Sequence, residues 1–71
     1  MDFGNALNAL RAGHKVARGD WEGGIWLTLE PDGNGETVFW YDRIMGEGKV
    51  RTQWGAFQAD LLATDWEIVD G

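Results

Sequence analysis

Cysteine is absent from this 71-residue sequence, and histidine occurs only once. Without thiols the chain cannot form the disulfide framework of a small secreted domain, and a single imidazole leaves few ligands for a structural zinc. A domain of this size buries only about 60% of the surface that its unfolded chain exposes. Because neither staple is available, we expect self-association to supply the missing stability.

Basic residues are also scarce. Six Lys and Arg face twelve Asp and Glu, which gives a formal net charge of −6. This field opposes duplex DNA or RNA, because affinity for such polyanions is built from several Lys and Arg contacts to phosphate. A small ligand with one or two phosphates remains compatible, since one arginine and a few amides act locally, while the diffuse field is screened beyond about 8 to 10 Å.

Long apolar runs and a basic leader are missing as well. No apolar stretch approaches the roughly 20 residues that span a bilayer. The chain opens on Met1, Asp2 and Phe3 rather than on basic residues followed by an apolar segment. We therefore expect a cytoplasmic protein.

The pattern that is present starts with one helix. Asp2 is a suitable N-cap and Gly13 a suitable terminator, and the apolar positions between them recur at the 3, 4 and 7 spacing of a helical face. The sequence predicts a helix over residues 2–12. No linker and no internal repeat follow, so residues 1–71 are predicted to form a single domain.

Strand patterns occupy the rest of the chain. Clean alternation over residues 25–30 places Ile25, Leu27 and Leu29 on one face. Residues 31–35 predict a hairpin turn that pairs this strand antiparallel with residues 37–41, and residues 46–48 predict a second reversal. The remaining predicted elements are strands at 15–18, 49–53 and 66–69 and a short helical turn within 57–63. The predicted fold is α+β, a helix packed on a small twisted antiparallel sheet.

Five tryptophans are the most informative residues present. Trp21 and Trp54 lie in loop contexts close to arginine and glycine, where an indole suits a stacking surface for a planar ring. Trp26 and Trp66 lie in strand patterns, which favours packing. Ligand binding is therefore the function to test, with the alternative that Trp21 and Trp54 also belong to the core.

Catalytic patterns are scarce. His14 stands alone at the helix end, where an imidazolium suits the helix dipole. The glycine pairs precede strands or lie in turns, so none forms a phosphate-gripping loop that opens a helix. Carboxylate pairs such as Asp60 and Asp65 show no convergence in the sequence. The sequence predicts no enzyme, no metal site and no cofactor.

Both ends of the chain carry a resemblance to a known family. The stretches that carry it are residues 3–7 (FGNAL), 13–18 (GHKVAR) with Trp21, 54–56 (WGA), 58–63 (QADLLA) and 65–69 (DWEIV). They resemble the second family of phage-encoded Thoeris anti-defence sponges, formerly a domain of unknown function. The middle of the chain is shorter than is typical of that family, and Phe57 stands where a serine is common.

This resemblance implies a non-catalytic protein that sequesters a cyclic nucleotide immune signal in the cytoplasm of an infected bacterium. The implied ligands are cyclic ADP-ribose isomers and cyclic di- or trinucleotides, the signals of Thoeris and CBASS defence. The family also implies a homo-oligomer, typically a tetramer, with pockets shared between subunits. Such an assembly agrees with the self-association expected from the chain's size.

A pocket for such a ligand must stack a purine, bind phosphate and read a sugar or base edge. We assign stacking to two tryptophans, phosphate contacts to two arginines and polar readout to three further side chains: Trp21 and Trp54, Arg18 and Arg51, and Gln53, Gln58 and Asp60. Phe3 and Asn5 match the opening of the family and complete the candidate set. For the arginines the alternative is an ordinary solvated strand residue, and for Phe3 it is a core anchor or an interface residue.

Two other functions stay open at this stage. An acidic protein with exposed aromatics is also typical of a decoy that occupies a basic host protein directly. Salt-sensitive capture of a host protein distinguishes that decoy from a nucleotide sponge. An enzyme that cleaves the cyclic signal is the third reading, and recovery of the ligand intact would exclude it.

Overall fold

The computed structural model describes residues 1–21, 23–33, 35–42 and 50–69. The helices and strands follow one another in the order α1 (Phe3–Arg11), β1 (Val16–Arg18), β2 (Ile25–Asp32), β3 (Gly35–Asp42), β4 (Val50–Gln53), α2 (Gln58–Leu62) and β5 (Trp66–Ile68). The fold is α+β, as the sequence predicted. The reversal predicted at residues 46–48 lies outside the described residues.

The first helix is specified locally at both ends. The carboxylate of Asp2 accepts a hydrogen bond from the backbone N–H of Asn5 at 2.9 Å, which satisfies one of the free donors of the first turn. After the helix, Gly13 adopts a φ of +96°, a conformation that glycine tolerates better than other residues. The predicted helix over residues 2–12 is confirmed to within one residue at each end. No helix in the described part of the chain combines the length and apolar character needed to cross a membrane.

The five strands form one antiparallel sheet in the order β4-β3-β2-β1-β5. The hairpin of β2 and β3 is its longest ladder, running from Ile25 opposite Asp42 to Asp32 opposite Gly35. This corrects the predicted turn over residues 31–35, because Pro31 and Asp32 still belong to β2 and Gly35 already belongs to β3. β1 pairs with β2 only at Leu27, so the hairpin tip is two-stranded and Pro31 removes no hydrogen bond there.

The hydrophobic core lies between α1 and one face of the sheet. Its buried members are Ala6, Ala9, Leu10, Val16, Leu27 and Trp66. The opposite face of the sheet carries Trp26, Thr28, Glu30, Thr37, Phe39, Tyr41, Arg51 and Gln53, because directly paired residues share a face and neighbours along a strand alternate. We call the first the helix-side face and the second the outer face.

Candidate ligand-binding site

Four aromatic side chains meet around Trp66 on the helix-side face. The Trp66 ring is only 2% exposed and contacts the rings of Trp21, Trp54 and Phe3 at centroid distances of 5.3, 5.9 and 5.4 Å. Trp21 and Trp54 cross it nearly perpendicularly, at 80° and 88°. In such an edge-to-face contact one ring directs its edge at the face of the other, so each contact covers a face of only one of the two rings.

A pocket of about 310 Å³ opens beside this cluster. It is lined by Trp21, Trp40, Thr52, Gln53, Trp54, Gly55, Phe57 and Asp60. β3 supplies Trp40 and β4 supplies Thr52, which lie opposite each other in the sheet. The volume is at the low end of the range typical of small-molecule sites, and the predominantly aromatic wall with a few polar groups is also typical of them.

The structure brings four of the nine predicted site residues to this pocket: Trp21, Gln53, Trp54 and Asp60. Trp21 and Trp54 are half-buried and also pack against the core cluster. The two interpretations offered for them, core and ligand wall, therefore apply together. Phe3 lies behind the wall, 5.8 Å from the Trp54 ring, in the core-anchor position that was its alternative.

Asp60 is held in the pocket wall by Arg18. The Nη1 atom of Arg18 donates to Oδ1 of Asp60 at 2.9 Å, while its Nε donates to Oδ1 of Asp65 at 2.8 Å. The second oxygen of Asp60 accepts from the backbone N–H of Phe57 at 3.3 Å. This arrangement, which we call the Arg18 clasp, ties β1 to α2 and to the segment before β5.

The clasp also shifts the pKa values of Arg18 and Asp65. The hydrogen bonds from Arg18 to Asp65 and Asp60 raise the pKa of the arginine, with the Asp65 bond the larger cause. The same bond from Arg18 lowers the pKa of Asp65. Because both hydrogen bonds favour the charged forms, the pair stays ionised at neutral pH, and Arg18 directs its guanidinium at protein carboxylates.

Arg51 lies on the outer face, away from the pocket. Its Nη1 donates to Glu30 at 3.0 Å, and its guanidinium carbon sits 4.0 Å from the centroid of the Phe39 ring. Glu30 also accepts hydrogen bonds from the hydroxyls of Thr28 and Tyr41. These bonds, with that of Thr28 first, lower the pKa of Glu30, and the bond to Glu30 raises the pKa of Tyr41.

The last two predicted residues are exposed and do not line the pocket. Asn5 lies in the first turn of α1, where its backbone N–H bonds the Asp2 cap. Gln58 is the first residue of α2. It follows the lining residue Phe57 in the sequence but does not itself line the pocket. The ligand roles assigned to Asn5 and Gln58, like the phosphate roles of Arg18 and Arg51, stay predictions.

Sequence reasoning missed four lining residues: Trp40, Thr52, Gly55 and Phe57. A signal existed for Trp40, because antiparallel pairing of residues 37–41 with 25–30 places it opposite Leu27, on the core face. Nothing in the sequence indicated the register of β4. The position of Thr52 opposite Trp40 was therefore not predicted. Phe57 is 77% exposed, and its position beside the indoles of the pocket wall is evident only from the structure.

Comparison with protein families identifies the family of this chain. A search of curated proteins finds no match. The model of the Tad2-like domain, described as Thoeris anti-defense 2-like, matches residues 1–69, which is nearly the whole chain and includes every residue of the pocket. The resemblance seen at the two ends of the sequence is thereby confirmed and supports a role in phage anti-defence against Thoeris. The chain belongs to the Tad2-like family.

Proposed function

We propose that this protein binds a cyclic nucleotide immune signal in the aromatic pocket and sequesters it without cleaving it, so that the host effector is not activated. The observation that carries the proposal is a pocket walled by three indoles, Trp21, Trp40 and Trp54. Membership of an anti-defence family supplies the context. The candidate ligands are cyclic ADP-ribose isomers and cyclic di- or trinucleotides.

The energetics of the wall are adequate for such a ligand. Stacking of a base on an aromatic side chain contributes about 1 to 3 kcal/mol. Micromolar affinity corresponds to about 8 kcal/mol, so two stacks and a few polar contacts supply a large part of it. Trp21 and Trp54 are edge-packed on Trp66 and therefore already ordered, which limits the entropy lost when a ligand binds.

A non-enzymatic role agrees with the chemistry of the wall. Asp60 is the charged residue among the lining side chains described, and both of its oxygens already accept hydrogen bonds, from Arg18 and from the Phe57 N–H. Sequestration needs only binding, which the indoles and polar groups of the pocket can supply.

We further propose that the functional form is a homo-oligomer, with a tetramer as the form implied by the family. Large apolar side chains support this part of the proposal, because Leu61, Leu62 and Ile68 are exposed in the single chain. Burying them between copies would add apolar area that so small a domain lacks. Phe57, at the pocket and 77% exposed, would gain a neighbour in the same way.

Calorimetric titration tests the proposal most directly. The protein is titrated with a panel of cyclic ADP-ribose isomers and cyclic di- and trinucleotides, with its oligomer mass measured alongside. We expect submicromolar binding to one class and release of the ligand chemically intact on heating. Thr52→Ala, on the helix-side face opposite Trp40, should weaken that binding, whereas Thr64→Ala, the same change outside the pocket lining, should not. No binding across the panel would contradict the proposal.

A protein-binding decoy is the second candidate, and the exposed pair Leu61 and Leu62 together with the net charge of −6 favours it. A decoy would capture a basic host protein with an affinity that falls steeply with salt. The sponge needs no protein partner. Capture of one defined host protein that is lost in Leu62→Asp, together with no nucleotide binding, would favour the decoy.

A further inference from the structure

We propose that the pocket holds the base of the ligand, that Asp60 selects a base with an exocyclic amino group, and that the phosphates lie outside the pocket. This inference rests on the proposed function and specifies which part of the nucleotide enters the site. It also assigns Arg18 as the positioning residue that holds the selecting carboxylate. Its support comes from the charges, hydrogen bonds and volume of the described residues.

The first argument is the charge of the wall. The lining consists of four aromatic residues, a glycine, two neutral polar residues and one carboxylate, that of Asp60. Of the two arginines assigned to phosphate, Arg18 bonds Asp60 and Asp65, and Arg51 bonds Glu30 on the outer face. A phosphate placed in this pocket would face a carboxylate of like charge, which disfavours it. A ring amino group would instead meet an acceptor.

The second argument is the remaining capacity of Asp60. An ionised carboxylate offers about four acceptor positions. Two of them are used, by Nη1 of Arg18 and by the backbone N–H of Phe57. Asp60 lines the pocket and is only 7% exposed, so its remaining acceptor positions have little contact with bulk water. A hydrogen-bond donor on the ligand would use a remaining acceptor position of the Asp60 carboxylate. A ligand without that donor leaves this desolvated acceptor unpaired.

The third argument is that the carboxylate is fixed before the ligand arrives. Arg18 holds Oδ1, the Phe57 N–H holds Oδ2, and the backbone oxygen of Asp60 accepts from Nε1 of Trp66 at 2.9 Å. Gly19, next to Arg18, adds a backbone bond to the oxygen of Asp65 at 2.9 Å. A group held from several directions reads a ligand atom without reorganising, which sharpens discrimination.

Volume agrees with the same assignment. A space of about 310 Å³ is at the lower limit for pockets that bury a whole drug-sized ligand. A base flanked by indoles fits such a space, and the sugar and phosphates of a cyclic dinucleotide extend beyond it. The phosphates then extend into solvent.

Two pairs of nucleosides test the selection on the unaltered protein. Adenosine and purine riboside differ by the 6-amino group, and guanosine and inosine differ by the 2-amino group. We measure the dissociation constant of each by tryptophan fluorescence or by NMR titration. In at least one pair the amino-bearing nucleoside should bind about 10- to 100-fold more tightly, which is the range for a hydrogen bond to a charged group. Equal binding within both pairs would overturn the proposal.

Variants then identify the acceptor. Asp60→Asn should reduce the ratio within the responsive pair towards one, and Asp65→Asn should preserve it, because Asp65 also bonds Arg18 but does not line the pocket. Arg18→Met keeps the Asp60 carboxylate but removes the group that positions it, so the ratio should fall. If Arg18 were only structural, both nucleosides would bind more weakly and their ratio would not change. If Asp60→Asn weakens both members of the pair equally, the carboxylate reads the ribose, and the proposal is wrong.

The position of the phosphate is tested separately. Adenosine 5′-monophosphate should bind the wild type within about threefold of adenosine, because its phosphate gains no cation in the pocket. A much tighter monophosphate would place a phosphate site in the lining and overturn the inference. If cyclic nucleotides bind but no nucleoside does, the base assignment fails and sequestration stands. If no nucleotide of any kind binds, the proposed function itself fails.

Discussion

The two faces of the sheet use aromatic rings in opposite ways. On the outer face, Trp26 and Tyr41 stack in parallel, 5.5 Å apart with planes within 4°, and Lys15 lies 5.1 Å from the Trp26 centroid. On the helix-side face, Trp21 meets Trp40 and Trp66 at 62° and 80°. A parallel stack covers one face of both rings, whereas an edge-to-face contact covers a face of only one. The pocket lined by Trp21, Trp40 and Trp54 lies among the edge-to-face contacts, on the helix-side face.

Each face also contains an arginine bound to carboxylate, with a different role. The Arg18 clasp joins three segments of the chain and fixes Asp60 in the pocket wall. The ion pair of Arg51 and Glu30 joins β4 to β2 across the outer face of β3, and its arginine side chain is 51% exposed. An exposed pair contributes little to stability. The two arginines looked equivalent in the sequence, and the fold separates them.

The largest effect is expected from removing the shared ring of the helix-side cluster. Trp66→Ala deletes the contacts to Trp21, Trp54 and Phe3 together and leaves a buried cavity. Such changes cost about 3 to 5 kcal/mol, while a domain of this size has roughly 4 to 10 kcal/mol in total. Urea denaturation should show a free energy of unfolding that is lower than that of the wild type by about 3 to 5 kcal/mol.

The matched change on the outer face is Trp26→Phe, which keeps an aromatic ring in the stack with Tyr41. We expect a loss below about 1.5 kcal/mol, as for other changes that preserve packing. If Trp66→Ala were no more destabilising than Trp26→Phe, the cluster around Trp66 would not be the centre of the core.

A smaller effect, on binding rather than on folding, is expected from Trp54→Ala. Loss of one stacking ring should weaken the preferred cyclic nucleotide by about 1 to 3 kcal/mol. Phe3→Leu is the control, because Phe3 packs behind Trp54 without lining the pocket. Calorimetry on both variants, with oligomer mass checked, separates the two effects. Unchanged affinity in a folded Trp54→Ala protein would show that this indole does not stack on the ligand.

These contrasts also show which features of the fold and the site could be predicted from the sequence. The helix, the hairpin of β2 and β3 and the last strand follow from local caps, alternation and turn residues, so their positions were predicted closely. Trp21 and Trp54 were recognised from their loop contexts. The partners of Arg18 and Arg51 depend on which strands become neighbours, since Arg18 bonds residues 42 and 47 positions away. Long-range pairing of that kind has no local signal.

The Arg18 clasp should respond to acid. The pKa of Asp65 is lowered below its ordinary value of 3.8, chiefly by the hydrogen bond from Arg18. A depressed carboxylate stabilises the fold fully above its unfolded pKa, and this contribution is lost as pH falls through the folded pKa. Stability should therefore decline below about pH 3.8, and less steeply in Asp65→Asn. Thermal unfolding at pH values on either side of 3.8 measures the difference, and identical slopes would contradict the role of the clasp.

The smallest effect is expected from Arg51→Ala. The side chain is half-exposed and faces away from the pocket, so unfolding free energy should change by no more than about 0.5 kcal/mol. Ligand affinity should also stay within about twofold if the pocket of one chain is the whole site. Calorimetry and urea denaturation check both values. A tenfold loss of affinity at unchanged stability and oligomer mass would mean that Arg51 reaches the ligand from a second subunit, as its predicted phosphate role requires. In that case the outer face of one copy would complete the helix-side pocket of another.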